Sequence, residues 1–189
     1  MQRKLYLESM QVVLDPELRM AIDVFPCEDG HTQEPSLCES VLQTVKADQL
    51  WIADRNMCTE GFLFGISTAS SDFLIREHKT LPQQEISELQ FQGDVETGGV
   101  EWTNSCSFLW GNRLKLRRVV VQLKTATGDG EREIALLTSL PQTVASAEYV
   151  AQLYRGGWRV ETLFQTVNKN FEGNFFPWFI PKLENFILG

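Results

Sequence analysis

The chain has 189 residues, 43% hydrophobic and 22% charged, which suits one packed domain with at most an insertion and excludes disorder over most of its length. No apolar run reaches the roughly 18 residues of a membrane span, and Met1-Gln2-Arg3-Lys4 is not followed by an apolar stretch, so neither a membrane nor a secretory role is expected. The net charge of −8 disfavours a general nucleic-acid binder, while leaving room for a local basic face.

In chain order, Val12-Val13-Leu14 is a short β-branched run that stops at Asp15-Pro16, and Ala21 to Phe25 alternates up to Pro26. The two runs pair naturally as a hairpin. Pro35 to Lys46 reads as a helix, because Leu37, Val41, Leu42 and Val45 recur at spacings of three and four. Leu50-Trp51-Ile52-Ala53 is a continuous apolar run of the kind buried on both faces of a parallel sheet. Thr59 is placed to cap a helix through Ile66, and Phe73-Leu74-Ile75 is a further strand.

From about Leu81 to Gly111 the pattern weakens; two long β-type runs follow, Leu114–Lys124 and Glu133–Leu140, joined by the turn Gly128-Asp129-Gly130. A last helix is expected from about Ser146 to Lys169. Strands alternating with helices imply an α/β fold on a mixed sheet. The expected organisation is core 11–80, a mainly β insertion 81–140, a core helix 141–173 and an altered tail 174–189. The tail segment Phe175-Phe176-Pro177-Trp178-Phe179-Ile180-Pro181 is aromatic and broken by prolines, and reads as an altered ending that would form an association-prone apolar patch where exposed.

Cys27, Cys38, Cys58 and Cys106 are scattered without C-x-x-C spacing, which reads as reduced cytosolic thiols rather than a zinc site or disulfide framework. Lys115, Arg117, Arg118 and Lys124 form a basic cluster on the long hairpin, with Lys115 and Arg117 on one strand face and Arg118 and Lys124 on the other. It reads either as a DNA-backbone face or as a solvated strand surface.

Two places carry chemistry. Asp54 follows the apolar run 50–53, and in open α/β sheets ligands bind outside the carboxyl ends of strands. The competing reading is a turn residue whose carboxylate bonds its own backbone. Glu161 lies seven residues after Tyr154, two helical turns, and borders the apolar stripe Leu153, Val160, Phe164, Val167. A carboxylate there is costly unless it is paired or bound to metal; the plainer alternative is pairing with Arg159. Two carboxylates joined by the fold can hold hard divalent cations, and a cation pair supports phosphoryl chemistry.

Together, Ala53-Asp54-Arg55-Asn56 and Tyr154 through Glu161-Thr162-Leu163-Phe164-Gln165 resemble the insertion-sequence DDE transposases of the Y-R-E-K (IS-four type) subgroup. The resemblance implies a ribonuclease-H-like mixed sheet interrupted by a β insertion, Mg²⁺ or Mn²⁺ held by Asp54 and Glu161, and catalytic roles for Asp54, Glu161 and Tyr154. It implies DNA contacts from Arg155, Arg159 and Lys169, transposon-end DNA as partner, a homodimer, and a nucleoid-associated place in a bacterial cytoplasm. The chain departs from the signature at Gly157, where an Arg is expected, and at Asn168, where a Lys is expected. The first catalytic Asp of the family precedes the opening hairpin, and it is expected to be missing here, which implies an impaired fragment. A non-catalytic DNA-binding or dimerising remnant, and a ribonuclease-H-like nuclease using Asp15 or Asp23, are the alternatives.

Overall fold

The computed structural model describes residues 9–15, 20–26, 37–79, 81, 84–85, 88, 90–95, 98–109, 112–127, 130–156 and 174–179. Strands β1 (Ser9–Asp15) and β2 (Met20–Pro26) form the expected antiparallel hairpin. Strand β3 (Leu50–Ala53) lies parallel to β4 (Asp72–Arg76), with Ala53 opposite Ile75. Every residue of β3 is buried, as its unbroken apolar run requires for a strand covered on both faces.

The stretch 81–140 is β-rich. It contributes β5 (Gln84–Glu85), β6 (Gln90–Val95), β7 (Gly98–Leu109), β8 (Asn112–Gln122) and β9 (Glu133–Thr138). Strands β8 and β9 pair antiparallel across the turn that contains Gly130, whose φ of +82° glycine adopts without penalty. Strand β9 then pairs antiparallel with β4, which makes these strands one sheet with β3 and β4. A tenth strand, β10 (Asn174–Phe179), lies between β1 and β3. The resulting order is β2-β1-β10-β3-β4-β9-β8-β7-β5, with β6 on β7.

Two apolar layers sandwich the central strands. Alternate residues of β3 and β4 divide between them: Leu50, Ile52 and Leu74 face one layer, and Trp51, Ala53, Phe73 and Ile75 the other. Helix α1 (Cys38–Leu42) and helix α2 (Glu60–Thr68) supply the second layer through Val41, Phe62, Leu63 and Ile66. Thr59 caps α2 as expected, its hydroxyl accepting from the Phe62 N–H at 3.4 Å. The first layer is closed by helix α3, described over residues 147–156, through Ala147, Val150, Ala151 and Tyr154. Their spacing of three and four is a single helical stripe.

Three expectations change. Helix α1 is much shorter than Pro35–Lys46: the chain turns at Gln43, and the Thr44 hydroxyl donates to the Val41 carbonyl at 2.8 Å, a local bond that competes with helix continuation. Part of the aromatic tail forms a strand, β10, which pairs with β1 and with β3 and so joins the hairpin to the core sheet. Neither face of the basic cluster keeps both of its cations free for DNA. Arg117 is buried and donates from Nη1 to the carbonyls of Leu140 (3.0 Å) and Ala145 (2.7 Å). Arg118 donates from Nε to Glu77 at 2.9 Å. Lys115 and Lys124 are left exposed, at opposite ends of this stretch.

Candidate active site at the end of β3

Asp54 caps the short 3-10 turn Arg55–Met57 by position, yet its carboxylate makes no capping bond; the turn closes through backbone, Met57 N–H to the Asp54 carbonyl at 3.1 Å. The carboxylate is thus not consumed by its own turn. Its side chain is half exposed. Asp54 sits where β3 ends, on the rigid floor made by the buried residues below it.

Helix α3 brings the second group. The Tyr154 ring belongs to the apolar layer under α3, and its hydroxyl donates to Asp54 Oδ1 in a long hydrogen bond of 3.4 Å. Two segments a hundred residues apart therefore meet at one strand end. This is the contact expected if the strand that ends at Asp54 and the helix that carries Tyr154 frame a single site. Arg155 follows on the same helix and is half-buried. Glu161, Arg159 and Lys169 lie outside the described residues.

Two further charged residues, unremarked in the sequence, complete the surroundings. Arg76, buried at the end of β4, reaches Asp54 Oδ1 with Nη1 at 3.9 Å. Its Nη2 is hydrogen-bonded to Glu131 Oε2, and Arg55 Nη1 approaches Glu131 Oε1 at 3.7 Å. Parallel pairing of Ala53 with Ile75 could have pointed to Arg76 as the next residue along. Nothing local points to Glu131.

The sequence matches the family model described as the transposase DDE domain over residues 3–177. The chain belongs to that family. No curated protein matches it. As a DDE transposase domain it has the ribonuclease-H-like α/β fold, here with the mixed sheet and covering helices described above. The family acts on DNA and normally uses divalent metal ions. The half-exposed Asp54 carboxylate, unspent on backbone, offers the hard oxygen donor such an ion prefers. Among the described residues no group of three or more His, Cys, Asp or Glu side chains is arranged to hold a metal. No helix of the described residues is long and apolar enough to cross a membrane.

Proposed function

We propose that this chain is the catalytic core of an insertion-sequence transposase of the Y-R-E-K subgroup, with strand cleavage that is weak or absent. The contact between Tyr154 and Asp54 supports the reading most directly. It joins the two segments on which the subgroup resemblance rests. Asp54 and Glu161 would hold Mg²⁺ or Mn²⁺, Tyr154 would orient the cleaved phosphate, and Arg155, Arg159 and Lys169 would meet the DNA backbone of transposon ends. Bound divalent cations supply activation of the attacking oxygen and stabilisation of the leaving oxygen. The reaction is hydrolysis of a phosphodiester at the element's end, then attack by the freed 3′-hydroxyl on target DNA.

Impairment is supported by the strand next to β3. Phe179 pairs antiparallel with Ile52, so β10 is the strand beside β3 on this edge, and Asn174–Phe179 contains no carboxylate. The neighbouring strand therefore brings no third acid to the site. The replacement of the signature Arg by Gly157 removes one phosphate contact.

Titration with Mn²⁺ tests the metal assignment: Asp54→Asn and Glu161→Gln should each weaken binding, and unchanged binding in both would overturn it. Robust Mg²⁺-dependent cleavage of end DNA, abolished by Glu161→Gln, would overturn the impairment. The lack of a carboxylate in β10 also favours a second reading, a DNA-binding remnant without catalysis; no gel shift at low salt would remove it.

A further inference from the structure

We infer that Arg76 is a positioning residue that limits how tightly Asp54 can hold a divalent cation, and that Glu131 holds Arg76 in check. The inference rests on the reading of Asp54 as a cation ligand. Four charges alternate across the site: Asp54, Arg76, Glu131 and Arg55. The Arg76 side chain is only 10% exposed, against 51% for Asp54. A guanidinium so enclosed needs a partner, and it has two to choose from. It is hydrogen-bonded to Glu131, while it stays 3.9 Å from Asp54 Oδ1, beyond hydrogen-bond range but well within Coulombic reach.

Glu131 is built to keep that grip. It closes the β8–β9 turn, with Thr127 N–H donating to its carbonyl at 2.9 Å and its own N–H donating to Thr127 Oγ1 at 3.1 Å. Arg55, from the turn just past Asp54, steadies the same carboxylate. The insertion is thereby tied to the strand end through one salt-bridge chain. Without Glu131, nothing described holds Arg76 off Asp54, and the guanidinium would close on the carboxylate a cation needs.

The consequence is a pair of opposite signs. A fixed positive charge beside Asp54 opposes a divalent cation, so Arg76→Gln should tighten Mn²⁺ binding, on the order of tenfold. Loss of the Glu131 charge frees Arg76, so Glu131→Gln should weaken Mn²⁺ binding by a similar factor. In the double variant the Glu131→Gln effect should shrink, because Glu131 acts largely through Arg76. A general loss of structure would weaken binding in both single variants and could not produce the split.

The experiment is Mn²⁺ titration of the full chain, followed by electron paramagnetic resonance, with circular dichroism of each variant and Asp54→Asn as control. Asp54→Asn binding as well as the unaltered chain would overturn the cation-ligand reading and this inference with it. If Asp54→Asn loses binding while folded Arg76→Gln binds no more tightly than the unaltered chain, only this inference fails. Should Arg76→Gln not fold, Glu131→Gln decides: weakened affinity is expected, and unchanged affinity overturns the inference.

Discussion

Thr138 offers a direct test of how the strand carrying the insertion back into the core is held. Its side chain is fully buried, where a hydroxyl is tolerated only if its bonding is satisfied. Oγ1 donates to the Phe73 carbonyl at 2.7 Å and accepts from the Leu140 N–H at 3.1 Å. Thr138→Val keeps volume and β-branching, so neither a cavity nor a loss of strand propensity enters the comparison. The Phe73 carbonyl retains the Ser139 N–H at 3.3 Å, so its loss is the ordinary net worth of one bond, about 1 kcal/mol. The Leu140 N–H, in a residue only 2% exposed, has no other described acceptor, and leaving it unpaired costs about 1–3 kcal/mol. Thr138→Val should therefore destabilise the fold by roughly 2–4 kcal/mol, although it makes a buried position more apolar. Thr138→Ser keeps the hydroxyl and loses one methyl, about 1 kcal/mol. Urea unfolding followed by tryptophan fluorescence measures both, with equal m-values as the condition for comparison. If Thr138→Val matched the unaltered chain, or cost less than Thr138→Ser, the hydroxyl would not be anchoring the β9 exit and the reasoning would fail.

Three other outcomes follow from the same structure. Phe62→Ala empties a fully buried position of α2 against the sheet and should cost about 3–5 kcal/mol in the same urea assay. Arg117→Met deprives the Leu140 and Ala145 carbonyls of their donor, while Nε and Nη2 are already buried without partners in the described structure. Burial itself lowers the Arg117 pKa, so removing the charge recovers part of the loss and the net cost should be about 1–3 kcal/mol. The Cys58 thiol is pushed up to about 11, chiefly by burial, against the lowering effect of the His78 backbone N–H and with a further rise from the Glu77 charge. The unfolded thiol ionises near its ordinary 9.0, so between these values the folded chain binds more protons and stability falls as pH rises. Cys58→Ala should remove up to about 1.4 kcal/mol per pH unit of that decline between pH 9 and 11. Parallel pH dependence in the two proteins would contradict it.

What could be read from the sequence was whatever one segment decides alone. The run Leu50–Ala53 is apolar at every position and bounded by polar residues, so its burial on both faces and its end at Asp54 are local facts. The same holds for Thr59, whose capping bond spans three residues. Strand β10 was hidden because Pro177 argues against a central strand, and its six pairings with β1 join residues at opposite ends of the chain. Arg117 was misjudged for a related reason. Strand alternation says which residues share a face, but not whether another element covers that face, and here the segment leading into α3 supplies two carbonyls that draw the guanidinium inside. The candidate site divides along the same line. Asp54 and Tyr154 could be named in advance because each sits in a recognisable local pattern. Arg76 and Glu131 could not, since one depends on strand register and the other on a turn more than fifty residues away. Yet Arg76 stands 3.9 Å from the exposed carboxylate, and Glu131 is the group that holds Arg76. A strand-end acid identified by its own segment is therefore only half of a candidate site; the charges around it come from neighbours that the fold alone brings to it.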